Sequence, residues 1–160
     1  MFEGQPIEVR YATCLRDTAG NPAHAATWLR RRLVILDREL LRNPGEHRRI
    51  LVHELFHFVW LRLGNPSRLE WEHLLKEEWR QGARGETGWS AEWRKQNLTA
   101  RDVRQRSVNW RAYCCESFCD TAATLYAIPR DGNHPENTLA ARWQRRRAAW
   151  FHNAPACFRV

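Results

Sequence analysis

The longest apolar tract in the chain runs from Ile50 to Leu61 and is interrupted only by His53, Glu54 and His57. Wound as a helix, it shows apolar side chains on nearly every side, so it reads as a buried helix over 45–63. Asn43-Pro44-Gly45-Glu46 starts that helix and Gly64-Asn65-Pro66-Ser67 stops it. Upstream, residues 7–16 alternate apolar and polar, which predicts a strand. Asp17 to Ala23 carries Gly and Asn-Pro and reads as a loop. Residues 27–37 predict a second strand, strongest at Leu33–Leu36, with Arg38–Leu41 continuing it or bending away. The strands of 7–41 thus form a short antiparallel sheet. If the strand just before the buried helix is a sheet edge, an extended peptide can pair with it.

Downstream, Ser67 as N-cap and Glu70 three residues later predict a capping box opening a helix over 67–81. Residues 82–90 break the pattern, and the Arg-rich 90–108 holds one or two short helices. The whole of 64–108 therefore reads as a helical insertion. Apolar periodicity returns in 109–128 and stops at Pro129, and a last basic helix spans 137–151. For 160 residues this predicts a single α+β domain, a small sheet followed by a helical body with the 45–63 helix at its centre.

His53-Glu54-Leu55-Phe56-His57 is an H-E-x-x-H pattern. Residues four apart on a helix share a face, so both imidazoles can bind one metal ion, and Glu54 lies beside them where it can reach a metal-bound water. This points to a Zn²⁺-dependent hydrolase: two neutral ligands, an adjacent general base and an open position. A third protein ligand is needed. A Gly three residues after His57 and a His three further on would supply one in the metzincin pattern, but Trp60 and Leu63 stand there. Glu116 is the better candidate, because Glu116 and Asp120 lie on one face of an otherwise apolar helix. Glu116 would reach the metal, and Asp120 would accept from the far nitrogen of a ligand histidine. His73, Glu70, Glu72 and Glu77 are rivals on a polar helix that salt-bridging explains. For the oxyanion, Tyr113, one turn before Glu116, is the first candidate donor, ahead of Tyr126, His134 and His152.

With His53-Glu54-Leu55-Phe56-His57 and Glu116-x-x-x-Asp120 together, the chain resembles the gluzincin metallopeptidases. The stretch ESFCDTAATLYAIP is also similar to the short ImmA/IrrE-type gluzincins. The resemblance implies a zincin-like fold, Zn²⁺ on His53, His57 and Glu116, Glu54 as general base, Asp120 orienting a ligand His, and a peptide or protein substrate.

Charge adds a second reading. The net charge is +8, and among 26 basic residues only Lys76 and Lys95 are lysine. Such a surface suits nucleic acid or an acidic protein. Arg142, Arg145, Arg146 and Arg147, set beside Trp143 and Trp150, are the candidate nucleic-acid contacts, with further arginines in 101–111. No apolar run is long enough to cross a bilayer, and the first ten residues lack a signal-peptide pattern, so the expected location is cytoplasmic and no membrane partner is expected. The five cysteines form no C-x-x-C pair and read as reduced, although Cys115 and Cys119 lie four apart and could ligate metal. A third reading is a non-catalytic zinc domain, which would need a fourth ligand such as Asp120 or a Cys.

Overall fold

The computed structural model of the chain describes residues 6–17, 19–127 and 134–154. It is an α+β arrangement with three strands, β1 (Glu8–Ala12), β2 (Ala25–Trp28) and β3 (Leu33–Asp37). Six helices follow: α1 (Pro44–Arg62), α2 (Asn65–Arg80), α3 (Trp89–Gln96), α4 (Ala100–Gln105), α5 (Val108–Ala127) and α6 (Ala141–Asn153). The expected stop at Pro129 lies outside the described residues.

The sheet is mixed, which corrects the antiparallel expectation. Its order is β1-β3-β2, with β1 parallel and β2 antiparallel to β3. The tract 27–37 is a hairpin and not one strand: Leu29–Arg31 makes a 3-10 turn and Arg32 takes left-handed backbone at φ 50°. Three consecutive arginines mark that turn. β3 is therefore the central strand, paired on both sides, with Val34 and Leu36 fully buried. The strand nearest α1 in sequence offers no free edge. β1 and β2 are the edges instead. Residues 38–42 bend away as a further 3-10 turn, capped by the Asp37 side chain.

α1 begins at Pro44, where the missing N–H costs nothing, and the Asn43 side chain accepts from the Glu46 N–H. It is wedged between two hydrophobic clusters. Ile50 and Phe58 pack with Val34, Leu36 and Leu40 of the sheet side. Val59 and Leu63, with Phe56 and Trp60, join the helical cluster. That cluster takes Trp71, Leu74 and Leu75 from α2, Ala91 from α3, Val103 from α4, and Trp110, Cys114, Phe118 and Ala122 from α5. The 64–108 segment is thus part of the main core. Its first helix starts at Asn65, with Pro66 in the opening turn and Gly64 as N-cap, so the expected Ser67 cap is displaced. Phe118 sits at the aromatic centre, with ring centroids 5.2 Å from Trp60, 5.8 Å from Trp71 and 5.0 Å from Phe151.

Arg147 corrects its assignment to the basic surface. It is completely buried. On α6 it stands midway between Trp143 and Phe151 at four-residue spacing, so it shares their inward face. Its guanidinium donates to Glu78 at 2.6 Å and to Glu86 at 2.6 Å. Tyr113 also belongs here. Its hydroxyl donates to Glu86 Oε1 at 2.6 Å and the residue is 1% exposed. It therefore presents no donor to a substrate, contrary to the role expected of it. Lys95 completes the cage around Glu86 at 3.1 Å. The network ties α2, α3, α5 and α6 to the 83–88 loop.

Removing one member of a buried ionic network strands the others. Arg147→Ala should destabilise the fold by about 3–5 kcal/mol in urea titration, whereas exposed Arg145→Ala should change it by less than about 0.5 kcal/mol. Equal small effects would show that the cage is not under tension of this kind.

Burial would push the Glu86 carboxyl up, but Arg147, then Lys95 and Tyr113, hold it at about 2 against an ordinary 4.5. A carboxyl lowered on folding stabilises fully above its unfolded value. This contribution should vanish as the pH falls from 4.5 towards 2, read as a drop in the urea midpoint that Glu86→Gln attenuates.

Candidate metal centre

α1 and α5 pack along each other and face one another through i, i+4 pairs: His53 and His57 from α1, Glu116 and Asp120 from α5. The His53 Nε2 lies 3.3 Å from Glu116 Oε2, and the His57 Nε2 lies 3.9 Å from the same oxygen. Donors around one tetrahedral ion with bonds of about 2.0–2.1 Å lie roughly 3.3 Å apart, so the His53 nitrogen stands at that spacing from the Glu116 oxygen, and the His57 nitrogen stands about 0.6 Å beyond it. Among the described residues, the group whose ligand atoms all lie within 4.8 Å of one another and could hold a metal ion is His53, His57 and Cys119, with Cys119 in the place expected of Glu116.

The far side of His53 is fixed. Its Nδ1 lies 2.8 Å from Asp120 Oδ1, and both residues are buried. In the neutral imidazole with its proton on Nδ1, donated to Asp120, the Nε2 lone pair faces Glu116 and is open to a metal. Asp120 Oδ2 accepts from the Ala91 N–H at 2.9 Å, in the first turn of α3. Gly88, the N-cap of α3, makes this approach possible: a Cβ there would lie 2.4 Å from the Asp120 carboxyl carbon.

Glu54 is half-buried, and the Thr27 hydroxyl of β2 donates to its Oε2 at 2.6 Å. Glu116 has a second neighbour, Arg94 of α3, whose guanidinium is 3.5 Å from Oε1. Its Oε2 is thus left to the imidazoles. Behind His57 stand two thiols. The Cys115 and Cys119 sulfurs are each 3.5 Å from His57 Nδ1.

The electrostatics favour a cation. Burial opposes charge on His53, yet Asp120, Glu116 and Glu54 raise its pKa well above the ordinary value. Burial would raise Glu116, but the hydrogen bond from His53 and the charges of His57, His53 and Arg94 hold it at about 2. Burial likewise opposes charge on His57, and Cys115 and Glu116 raise it. The Cys115 thiol is lowered, first by the hydrogen bond from Cys119 and against burial, then by His57. One buried and one half-buried imidazole stand among three carboxylates, surroundings that favour positive charge. The donor set therefore fits a metal.

The remaining candidates are elsewhere. His134 bonds Glu46 at the start of α1 at 3.1 Å. Tyr126 stacks on Phe56 at 5.5 Å, and His152 is exposed on α6. Arg142, Arg145 and Arg146 are exposed, with Arg142 laid over Trp143 at 4.5 Å. Among the sequence rivals, Glu72 is taken by Arg106 at 2.7 Å and Glu77 by Arg80 at 2.8 Å. Thr27, Gly88 and Arg94 join the site from outside its two helices, and no local spacing marks them. No helix of the described residues is long and apolar enough to cross a membrane. Comparison with known protein families, curated proteins and solved structures finds no match.

A methyl group at position 88 would drive Asp120 from both its partners. Gly88→Ala should therefore lower divalent-metal affinity by about 10–100-fold, as loss of an outer carboxylate does. Isothermal titration with Zn²⁺ reads the change, and an affinity equal to that of the unsubstituted chain would show that Asp120 does not orient His53 for a metal.

Proposed function

We propose that this chain is a zinc-dependent peptidase in which water adds to a peptide carbonyl with Glu54 as general base. The observation that carries the reading is the convergence of both Nε2 atoms on one Glu116 oxygen, with Asp120 behind His53. His53, His57 and Glu116 would hold the ion. Zn²⁺ bound there would supply Lewis acidity towards water and towards the scissile carbonyl.

The chain's own groups do the rest. Glu54 sits next to the ligand pair and takes a proton from the attacking water. It then passes that proton to the departing amine nitrogen as the C–N bond breaks, so hydroxyl goes to carbon and hydrogen to nitrogen. Thr27 holds Glu54 by one oxygen, which limits the base to a narrow range of positions. Thr27 also sits in the edge strand β2, so a substrate paired with that edge would run past the base. The hydrogen bond from His53, the charges of both histidines and, last, Arg94 keep Glu116 ionised against burial, and Arg94 holds its Oε1.

Cys119 favours a second reading, a closed zinc site without catalysis, because its sulfur belongs to the same group as both histidines. The exposed Arg142, Arg145 and Arg146 favour an added contact with nucleic acid or an acidic protein, which a salt-sensitive mobility shift would register.

Glu54→Gln separates the first two readings. The variant should keep its zinc by metal analysis and lose hydrolysis of a fluorogenic peptide library by at least about 100-fold. Glu116→Ala should lose both. Equal cleavage by the wild type and Glu54→Gln would remove Glu54 as the base. Zinc that survives Glu116→Ala but not Cys119→Ala, with no cleavage by the wild type, would establish the closed site.

A further inference from the structure

Every group facing the metal centre has a partner that its role explains, except the thiol pair behind His57. Cys115 and Cys119 lie one turn apart on α5, and each sulfur is 3.5 Å from the same nitrogen, His57 Nδ1. Nδ1 offers either one proton or one lone pair, so it can make a full hydrogen bond to only one of them. A metal ion can use all three. With bonds of about 2.3 Å to sulfur and about 2.0 Å to nitrogen, tetrahedral ligation separates S and N by about 3.5 Å. Cys119 is buried, Cys115 is half-buried, and His57 is partly open. The pocket is therefore reachable from the side of Cys115 and His57.

We propose that Cys115, Cys119 and His57 Nδ1 form a second, thiophilic metal site that shares His57 with the His53–His57–Glu116 centre. Its ligand softness selects Cd²⁺, Cu⁺ or thiolate-bound Zn²⁺ over the hard ions. Filling it with a divalent ion M²⁺ forms two M–S bonds and one M–N bond, and it releases one proton from each thiol. His57 then keeps its single ring proton on Nε2, which leaves no lone pair for an ion beside Glu116. The two centres exclude one another unless His57 loses its last proton. The thiol site stands on its own distances. Only the competition rests on the peptidase reading, and it makes the thiol pair an inhibitory port for soft metals.

Titrating Cd²⁺ into the full chain tests both parts. A thiolate-to-cadmium absorption band should rise and saturate at one ion per chain, and the cadmium NMR shift should report two sulfur ligands. Cys115→Ala or Cys119→Ala should abolish the band, while His53→Ala and Glu116→Ala should leave it. If His53→Ala fails to fold, the wild-type shift still decides, because a shift for one sulfur or none overturns the site. So does a band lost in folded His53→Ala, or one retained in Cys115→Ala. In zinc-loaded chain, Cd²⁺ should release one zinc per band formed, read with a chromogenic chelator. Zinc retained at full band overturns the sharing of His57. Chain that carries no zinc but shows the band refutes the peptidase reading and leaves the thiol site intact.

Discussion

The hydrogen bond between His53 and Asp120 is the joint on which the centre of this molecule depends. It is buried at both ends, so neither group can turn to water if the other moves. Asp120 divides its two oxygens between His53 on α1 and the first turn of α3, while its own backbone belongs to α5. One carboxylate thus fastens three helices. The orientation of His53 follows, and so does the position of α3, which carries Arg94 to Glu116. The same joint explains Gly88, because any side chain there would occupy the space of the carboxylate.

A second polar knot lies one to two turns back along the same side of α5, at Tyr113 and Ser117. Arg147 reaches Glu78 and Glu86 from α6, and Tyr113 and Lys95 close the cage. Replacing such a cage with apolar residues is often neutral or better for stability. Its effect here is one of direction. The guanidinium is a planar fork that accepts its partners in few geometries, and Glu86 anchors the 83–88 loop through its backbone contacts with Thr138 and Leu139. That loop ends at Gly88. The cage therefore sets where α3 begins, and through α3 it bears on Asp120 and Glu116.

The parts of this structure that repeat along one element were legible in the sequence. The apolar run around His53 and His57 and the Glu116–Asp120 spacing each declare a helix face, and α1 and α5 fall within one residue of the expected bounds at their starts. What was hidden depends on tertiary partners. β2 merges with β3 in the sequence because the turn at 29–32 carries no Gly, Pro, Asn or Asp, so the break its three arginines make in the apolar run has no turn residue beside it. The parallel pairing of β1 with β3 follows from that missed hairpin. Arg147 looked like its exposed neighbours Arg145 and Arg146, although its spacing from Trp143 and Phe151 already placed it on the inner face. Tyr113 was placed by its distance from Glu116 along the helix. One turn separates them, but a buried phenol goes to the strongest acceptor in reach, and that was Glu86, a residue no local pattern marks.

Each carboxylate near the histidines is held from outside by one oxygen. Asp120 gives Oδ2 to the Ala91 N–H, Glu116 turns Oε1 to Arg94, and Glu54 gives Oε2 to Thr27. Held this way, a carboxylate keeps its aim without closing over an ion with both oxygens. His57 lacks such a carboxylate and has two thiols instead. A thiol is a weaker acceptor than a carboxylate, so His57 is less firmly committed to one tautomer than His53. The asymmetry between the two histidines is therefore chemical as well as positional: one is locked towards Glu116, and the other can turn its lone pair to either side.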